Sequence, residues 1–285
     1  MLSQSQVSNF QDAVMSSFIT EVNALKPGNV SRFSEGHGMT VDDFIKSAQL
    51  TCPILCDPTL SVGERVLEGV KVTMSEVGCN TNLGMLMLFA PLLRAAELGV
   101  SSLQSNLAIV LQGLNAKDTR CLFEAIHYAN PGGLGESEKY DVTKKLEAGT
   151  TIQKAMTEAQ NRDLIAKQYV TDFSDIFSLG FICIEDFAVR WNSVEWAAVA
   201  CYIGLLAEYP DSHIIRKFSL EVAEQIKIKA IPIAEAFHGE DRPEDAIEML
   251  MKFDEELKIK GVNPGTSADL TAAGLLVYHL TKADL

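Results

Sequence analysis

The chain has 285 residues, of which 47% are hydrophobic and 22% are charged. This composition supports a folded core and excludes a chain that is disordered throughout. Asp and Glu total 38 against 24 Lys and Arg, so the formal net charge is -14, and we expect no nucleic-acid surface because phosphate backbones would be repelled.

Apolar residues recur every three or four positions along most of the chain, which is the pattern of amphipathic helices. The first stripe runs from Phe10 to Leu25 and ends at Lys26-Pro27-Gly28, where proline and glycine stop a helix. The further predicted helices are 42–54, 61–77, 83–98, 102–114, 117–128, 161–169, 172–189, 193–208, 212–229, 243–258 and 268–280. Sustained period-two alternation is missing, so no sheet is predicted. The sequence therefore predicts an all-α fold, a single compact domain over 1–285 with about a dozen helices.

We expect a cytoplasmic protein with no leader and no membrane span. The first residues, MLSQSQVSNFQDAV, lack the basic and apolar regions of a signal peptide, and the most apolar stretch, LGMLMLFAPLL, is too short to cross a bilayer. The six cysteines occur at irregular spacings without a C-x-x-C pair, which favours reduced thiols over a disulfide or a metal site.

The longest segment without a helical pattern is ANPGGLGESEKYDVTKKLEAG, residues 129–149. A loop of that length in a compact domain is commonly functional. A ligand-contacting loop is one interpretation, and a plain surface excursion is the other.

Glu21 interrupts an apolar stripe. It lies three residues after Phe18 and four before Leu25, on the apolar side of its own helix. A carboxylate there is either buried with a partner or lines a cavity, because an unpaired buried charge costs several kcal/mol. Lys26 also has a simpler explanation, since a cation favours a helix C-terminus.

Three residues that can each cap a helix, Asn80, Thr81 and Asn82, follow one another between glycines. One cap suffices, so the extra polar residues and the free N–H groups of a helix start indicate a phosphate or ribose site. The alternative is a turn that merely changes the direction of the chain.

Positive charge falls in the first turns of a helix that Asp211 or Ser212 is expected to cap. Arg216 and Lys217 oppose the helix dipole there unless an anion bridges them, which modestly favours a bound phosphate. For His213 the sequence favours an exposed histidine at a helix start over an acid–base role.

The last polar segment is a turn, residues 261–265, that leads into the final predicted helix. Thr266 or Ser267 is the expected cap, and Asp269 adds a favourable charge to the first turn. A turn, a cap and a favourable charge explain every polar residue of this segment, so ligand roles for Asn263 and Asp269 need a further argument.

That argument is a resemblance carried by four motifs in order: E-x4-K-P-G-N-V, G-C-N-T-N-L-G, N-P-G-G-L-G and G-V-N-P-G-T-S-A-D-L. Together they resemble the triphosphoribosyl-dephospho-CoA synthase family, from about Glu21 to the C-terminus. The resemblance implies an all-helical transferase that uses ATP, in which the 2'-hydroxyl of 3'-dephospho-CoA displaces adenine from C1 of the ribose. Asn82-Leu83 and the loop at Asn130 differ from the pattern of the lyase-associated enzymes. The chain is more similar to the branch of archaea and one-carbon-metabolising bacteria, with a pterin-type or other cofactor precursor as the alternative acceptor.

The resemblance also implies roles for individual residues. Positive charge that develops at C1 is stabilised by a carboxylate, and Glu21 is expected to act at C1 or on the nucleophile. Asp269 is the second expected catalytic residue, and with Asn263 it would line the pocket or hold metal. Mg²⁺ is expected with ATP as substrate, and Asp172 and Asp175, one turn apart on a predicted helix, are the metal candidates against the alternative of an acidic helix N-terminus. The expected substrate-binding residues are Lys26, Asn29, Asn80, Thr81, Asn82, Gly132, Gly133, Arg216, Lys217 and Asn263.

Two other functions stay open from the sequence. A nucleotide or ribosyl hydrolase would pass the sugar to water, and a helical binding protein would perform no chemistry. The expected partners are small-molecule substrates, without nucleic acid or membrane, and a homo-oligomeric state is left open.

Overall fold

The computed structural model describes residues 3–36, 38–131 and 149–283. Within these ranges the chain forms helices and only two isolated β-bridges, Ser31–Ser34 and Gly36–Met39, which confirms the all-α prediction. The α-helices are α1 (Gln4–Asn23), α2 (Val41–Leu55), α3 (Val62–Glu76), α4 (Leu83–Ala96), α5 (Leu103–Gln112), α6 (Ala116–Ala129), α7 (Ile152–Ala159), α8 (Leu164–Val170), α9 (Ile182–Trp191), α10 (Val194–Glu208), α11 (Ser212–Lys217), α12 (Leu220–Gly239), α13 (Ile247–Ile259) and α14 (Gly265–Lys282).

Local capping explains where several helices begin. Four helices begin with a capping box, in which the cap side chain accepts from the backbone N–H of the third helical residue. The side chain of that third residue accepts in return from the backbone N–H of the cap. The four caps are Ser3, Thr40, Ser61 and Asn115. Thr151 also caps α7, because its Oγ1 accepts a hydrogen bond from the Lys154 N–H at 3.3 Å. The apolar periodicity did not predict α7, because this helix has only eight residues.

Two predicted helices are interrupted. The predicted helix 212–229 is divided into α11 and α12, since Ser219 Oγ accepts from the Val222 N–H at 3.3 Å and caps a new helix. The predicted helix 172–189 is wrong at its start, because Asp172 and Phe173 have φ of 51° and 57°, in the left-handed region. A π-helix, Ile176–Phe181, then leads into α9.

The core is one contiguous apolar cluster that extends along the chain from Phe10 to Leu280. Helix α14 lies at its centre and contacts α1, α4 and α10. At Gly274 a Cβ would lie 3.1 Å from the Gly180 carbonyl carbon, so this glycine allows α14 to pack closely against the π-helix.

All six cysteines are free thiols, as predicted. No single helix of the described ranges is long and apolar enough to cross a membrane. In the part of the chain that the structure describes, Leu83–Ala96 taken together with Val100–Gln112 is the one pair that reaches that length and hydropathy, and the pair bends by 115°.

Candidate active site

A cavity of about 640 Å³ opens where several helices begin. The first turns of α4, α8, α11 and α14 all contribute residues to its lining, so their positive dipole ends favour an anionic ligand. The apolar side of the lining includes Met39, Phe44, Met85, Met87, Phe123 and Met156. The polar side includes Asn29, Asn80, Thr81, Asn82, Arg162, Asp163, His213, Arg216, Asn263 and Asp269.

One polar side of the cavity, here called the asparagine wall, consists of Glu21, Lys26, Asn29 and Asn263. Lys26 Nζ contacts Glu21 Oε1 and donates to Asn29 Oδ1 at 3.2 Å. Asn29 Nδ2 in turn donates to Asn263 Oδ1 at 2.8 Å. The two asparagines line the cavity, whereas Glu21 and Lys26 are buried behind them at 1% and 0% exposure.

The turn after α1 brings these asparagines together. Gly28 has φ of 83°, and a Cβ there would lie 2.9 Å from both Leu257 and Pro264, so only glycine fits. Its N–H donates to Asp254 Oδ1 at 2.8 Å. Tyr202 Oη donates to the Pro27 carbonyl oxygen at 2.6 Å, so hydrogen bonds hold the turn against α13 and α10.

Burial governs the electrostatics of the ion pair. Burial raises the pKa of Glu21 against the lowering effect of Lys26, and burial lowers the pKa of Lys26 against the raising effect of Glu21. Desolvation therefore outweighs the attraction between the two charges, as is common for a fully buried pair.

A second polar side, here called the helix-end wall, consists of Thr81, Asn82, Gly84 and Asp269. Asn80 Oδ1 accepts from the Leu83 N–H at 3.1 Å, so Asn80 satisfies the start of α4. Thr81 and Asn82 are only 8% and 2% exposed. Among the described residues, neither Thr81 Oγ1 nor Asn82 Nδ2 has a hydrogen-bond partner. Buried polar atoms without partners are rare, and these two lie at the cavity.

Asp269 lies against the first turn of α4 because residue 84 is glycine. A Cβ on Gly84 would lie 2.0 Å from Asp269 Oδ2, so any other side chain would displace the carboxyl group. Burial raises the pKa of Asp269 well above its ordinary value, Glu21 and Asp211 raise it further, and Arg216 opposes them. The Asp269 carboxyl group is therefore a weaker acid than an exposed aspartic acid.

Asp211 joins the starts of α11 and α14, and it corrects one prediction. It accepts from the His213 and Ile214 N–H groups at 2.8 and 3.2 Å, as expected of a cap. Its second oxygen accepts from the N–H and the hydroxyl of Ser267 at 2.7 and 2.8 Å. The expected cap of α14 by Thr266 or Ser267 is wrong, because the carboxylate that accepts from the first turn of α14 belongs to Asp211, the cap of α11.

The structure separates the two cations of α11. Arg216 lines the cavity and its Nη1 donates to Asp163 Oδ2 at 2.6 Å, whereas Lys217 is exposed and outside the lining. His213 is half-buried at the cavity instead of exposed as expected, because Gly265 leaves room for its ring: a Cβ there would lie 2.4 Å from Nδ1.

The two metal candidates do not share a helical turn. Asp172 is left-handed and precedes the helical segment. Asp175 accepts from Gln168 Nε2 at 2.7 Å, Lys167 Nζ at 2.8 Å and Tyr209 Oη at 3.1 Å. Neither residue lines the cavity. Across the described ranges, no group of three or more His, Cys, Asp or Glu residues is arranged to hold a metal.

The remaining predicted residues lie partly outside the described ranges. Gly132 and Gly133, and most of the loop in which a ligand contact was predicted, belong to residues 132–148, which the structure does not describe. Gly84 and Asp163 are site residues that the sequence reasoning missed. Asp163 had a readable signal, since it precedes α8 as its cap and accepts from the Ala166 N–H at 3.0 Å.

The helical fold and the ordered motifs place the chain among all-helical transferases. The chain belongs to the CitG family, ATP:dephospho-CoA triphosphoribosyl transferase, whose model matches residues 8–285. The resemblance inferred from the sequence is thus confirmed, and the family implies ATP and dephospho-CoA as small-molecule substrates.

A solved structure from Archaeoglobus fulgidus, described as a candidate triphosphoribosyl-dephospho-CoA synthase, has the same fold. It superposes with a TM-score of 0.65 and 27% identity, covering 82% of this chain and 97% of the other. No curated protein matches the chain by sequence.

Proposed function

We propose that the cavity between the two walls is where triphosphoribosyl transfer from ATP to dephospho-CoA takes place, with release of adenine. The observation that carries the proposal is the pair of buried, unpartnered atoms Thr81 Oγ1 and Asn82 Nδ2 at the start of α4. A ligand that pairs with them removes an unfavourable feature of the free protein, since an unsatisfied buried polar group costs about 1–3 kcal/mol.

Each side of the cavity suits a different part of the nucleotide. Thr81, Asn82 and the N-terminal turn of α4 supply donors for ribose and phosphate oxygens. Arg216 adds positive charge and has a buried Nε with no partner among the described residues. The methionines and phenylalanines of the apolar side suit a base ring, because sulfur and aromatic groups pack well against π systems.

Asp269 is the residue that we propose for proton transfer to the departing adenine. A carboxyl group that keeps its proton can act as a general acid, and a leaving ring nitrogen departs more readily when it is protonated. The resulting carboxylate would then stabilise the positive charge at C1 and accept the proton that the 2'-hydroxyl of dephospho-CoA loses as it attacks C1, which returns Asp269 to its starting form. Glu21 reaches the cavity only through Lys26 and Asn29, so the direct action at C1 expected from the sequence falls to Asp269 instead.

Mg²⁺ fits the cavity better than it fits Asp172 and Asp175. The lining contains the carboxyl groups of Asp163 and Asp269 and the guanidinium groups of Arg162 and Arg216, so at most one net positive charge faces a triphosphate and an additional cation would be needed. Mg²⁺ is usually held by substrate phosphates and one or two carboxylates, and Asp163 would supply the carboxylate while Asp269 keeps its proton for adenine. When bound, the ion would neutralise triphosphate charge.

The test is chromatography of the purified chain incubated with ATP, Mg²⁺ and 3'-dephospho-CoA. Adenine is expected to form only as acceptor is consumed. Asp269→Asn should lower the rate by about 10²–10⁴-fold, the usual contribution of a general acid. Asp186→Asn, the same change on the exposed face of α9, should leave the rate within about twofold, as surface changes usually do.

Other products would contradict the proposal in distinct ways. Adenine formed equally fast without acceptor would indicate a hydrolase. Formation of ADP or AMP would place the chemistry at the phosphates, and adenine release with a pterin-type precursor only would identify that class of acceptor.

A further inference from the structure

The hydrogen bonds of the asparagine wall run in one direction. Lys26 Nζ donates to Asn29 Oδ1, and Asn29 Nδ2 donates to Asn263 Oδ1. Asn29 is also fixed through its backbone, whose N–H donates to the Lys26 carbonyl oxygen at 2.9 Å. These contacts join residues that are 234 positions apart in the chain.

The chemistry of lysine determines this direction. A side-chain amide can be turned to present either its oxygen or its nitrogen, but an ammonium group can only donate. If the proton shared by Lys26 and Glu21 moves to the carboxylate, the neutral amine still keeps two N–H bonds. The lone pair of that amine then accepts from the Glu21 carboxyl group, so only N–H bonds are left for Asn29. In both cases Asn29 faces Lys26 with its oxygen, and therefore faces Asn263 with its NH₂ group.

The consequence appears at Asn263, whose oxygen is occupied by Asn29. Its Nδ2 has no hydrogen bond to any described residue, and the side chain lines the cavity at 6% exposure. We propose that the buried Glu21–Lys26 pair is a positioning device that turns the Asn263 NH₂ group into the cavity, where it donates to a ribose or phosphate oxygen of the nucleotide. This inference rests on the proposed function for the identity of the ligand.

The direction can be reversed without changing the net charge. In the double variant Glu21→Gln/Asn29→Asp, the carboxylate moves from residue 21 to residue 29 and both side chains keep their shape. The new carboxylate at position 29 offers only acceptors, so Asn263 must turn its NH₂ group toward residue 29 and its oxygen toward the cavity. The matched control is Glu195→Gln/Asn23→Asp, because Asn23 Nδ2 and Glu195 Oε1 form the same kind of contact outside the cavity, at 3.4 Å.

Two measurements follow the reversal. With ¹⁵N-labelled asparagine, hydrogen exchange should be slow for the Asn29 NH₂ group and fast for that of Asn263, which Asn263→Asp identifies by loss of its resonance. In the double variant the Asn263 NH₂ group should become slow. The Kd for ATP, measured by calorimetry, should rise about tenfold as one donor is replaced by a repelling oxygen, and the control should stay within about twofold.

The outcomes separate the inference from the proposed function. An Asn263 NH₂ group as protected as that of Asn29 in the unaltered protein would overturn the positioning inference. A reversal with an unchanged Kd for ATP would overturn the contact with the nucleotide. The expected reversal in a chain that binds ATP but releases no adenine would support the inference and count against the proposed function.

Discussion

The two polar walls of the cavity differ in what holds their side chains. In the asparagine wall, Lys26 and Asn29 are fixed by an ion pair and directed hydrogen bonds within the interior. In the helix-end wall, Thr81 and Asn82 keep buried atoms that bond to no described residue. One wall is organised before any ligand arrives, whereas the other keeps bonding capacity for the ligand at a cost to the stability of the free protein.

The origins of the walls differ as well. The asparagine wall depends on contacts between distant segments, such as Gly28 with Asp254, 226 positions along the chain. The helix-end wall is made by a local turn and one helix start, completed by Asp269 from α14. Changes that remove the buried charge pair of the first wall should therefore act mainly on folding, and changes in the second wall mainly on ligand binding and turnover.

The largest expected effect is on stability, from Glu21→Leu. This change leaves Lys26 buried without its partner, and breaking a buried pair costs about 3–5 kcal/mol. Urea unfolding measures the loss. Glu195→Gln is the control, because the Arg32–Glu195 pair is 50% and 43% exposed and such pairs contribute about 0–1 kcal/mol.

A second variant shows whether the lost stability comes from the charge. The double change Glu21→Leu/Lys26→Met should recover most of the stability, because apolar residues of similar volume replace buried pairs at little cost. A Glu21→Leu variant no less stable than Glu195→Gln would mean that the pair is not what holds the asparagine wall.

The next effect is on turnover, from Gly84→Ala in the helix-end wall. The new Cβ would lie 2.0 Å from Asp269 Oδ2 and 2.9 Å from Ile165 Cδ1. Both atoms are side-chain ends that can move, so the fold should persist while the carboxyl group shifts by about 1 Å. Such a displacement can lower the rate of adenine release about 100-fold.

Gly239→Ala provides the comparison for that variant. A Cβ at Gly239 meets nothing within 4 Å, so turnover should stay unchanged. If Gly84→Ala releases adenine as fast as Gly239→Ala does, the position of Asp269 against α4 has no part in the reaction.

Sequence reasoning predicted the helices well because their apolar stripes are regular, and it failed where the stripe continues through a break. At Ser219 the apolar pattern does not change, and only the local cap separates α11 from α12. At Asp172 and Phe173 the left-handed backbone has no signature in residue type, so the shared turn expected for Asp172 and Asp175 was wrong.

The site shows the same limit. The motifs identified Asn29, Asn82 and Asp269, which the structure brings to one cavity. Their relations could not be read from spacing, because Asn29 meets Asn263 only through the tertiary fold. The place of Lys217 could not be read either, since neighbouring cations on a short helix face different surroundings: Arg216 lines the cavity and Lys217 is exposed. The compartment and the metal stay predictions.

The smallest expected effect tests the unpartnered atoms directly, through Thr81→Val. The substitution keeps the shape of the side chain and removes a buried hydroxyl that bonds to no described residue. It should raise the free energy of unfolding by about 1 kcal/mol. If the hydroxyl serves the ligand, the Kd for ATP should rise by about threefold to tenfold in the same protein.

Thr51→Val separates this effect from the general loss of a threonine hydroxyl. Thr51 is fully buried, but its Oγ1 donates to the Ser47 carbonyl oxygen at 2.8 Å, so its removal should lower stability slightly and leave ATP affinity unchanged. Opposite signs of the stability change in the two variants would show that the helix-end wall carries a cost that only a ligand relieves. A Thr81→Val variant that loses stability, as Thr51→Val does, would mean that the hydroxyl is already satisfied in the free protein and that the difference between the two walls does not exist there.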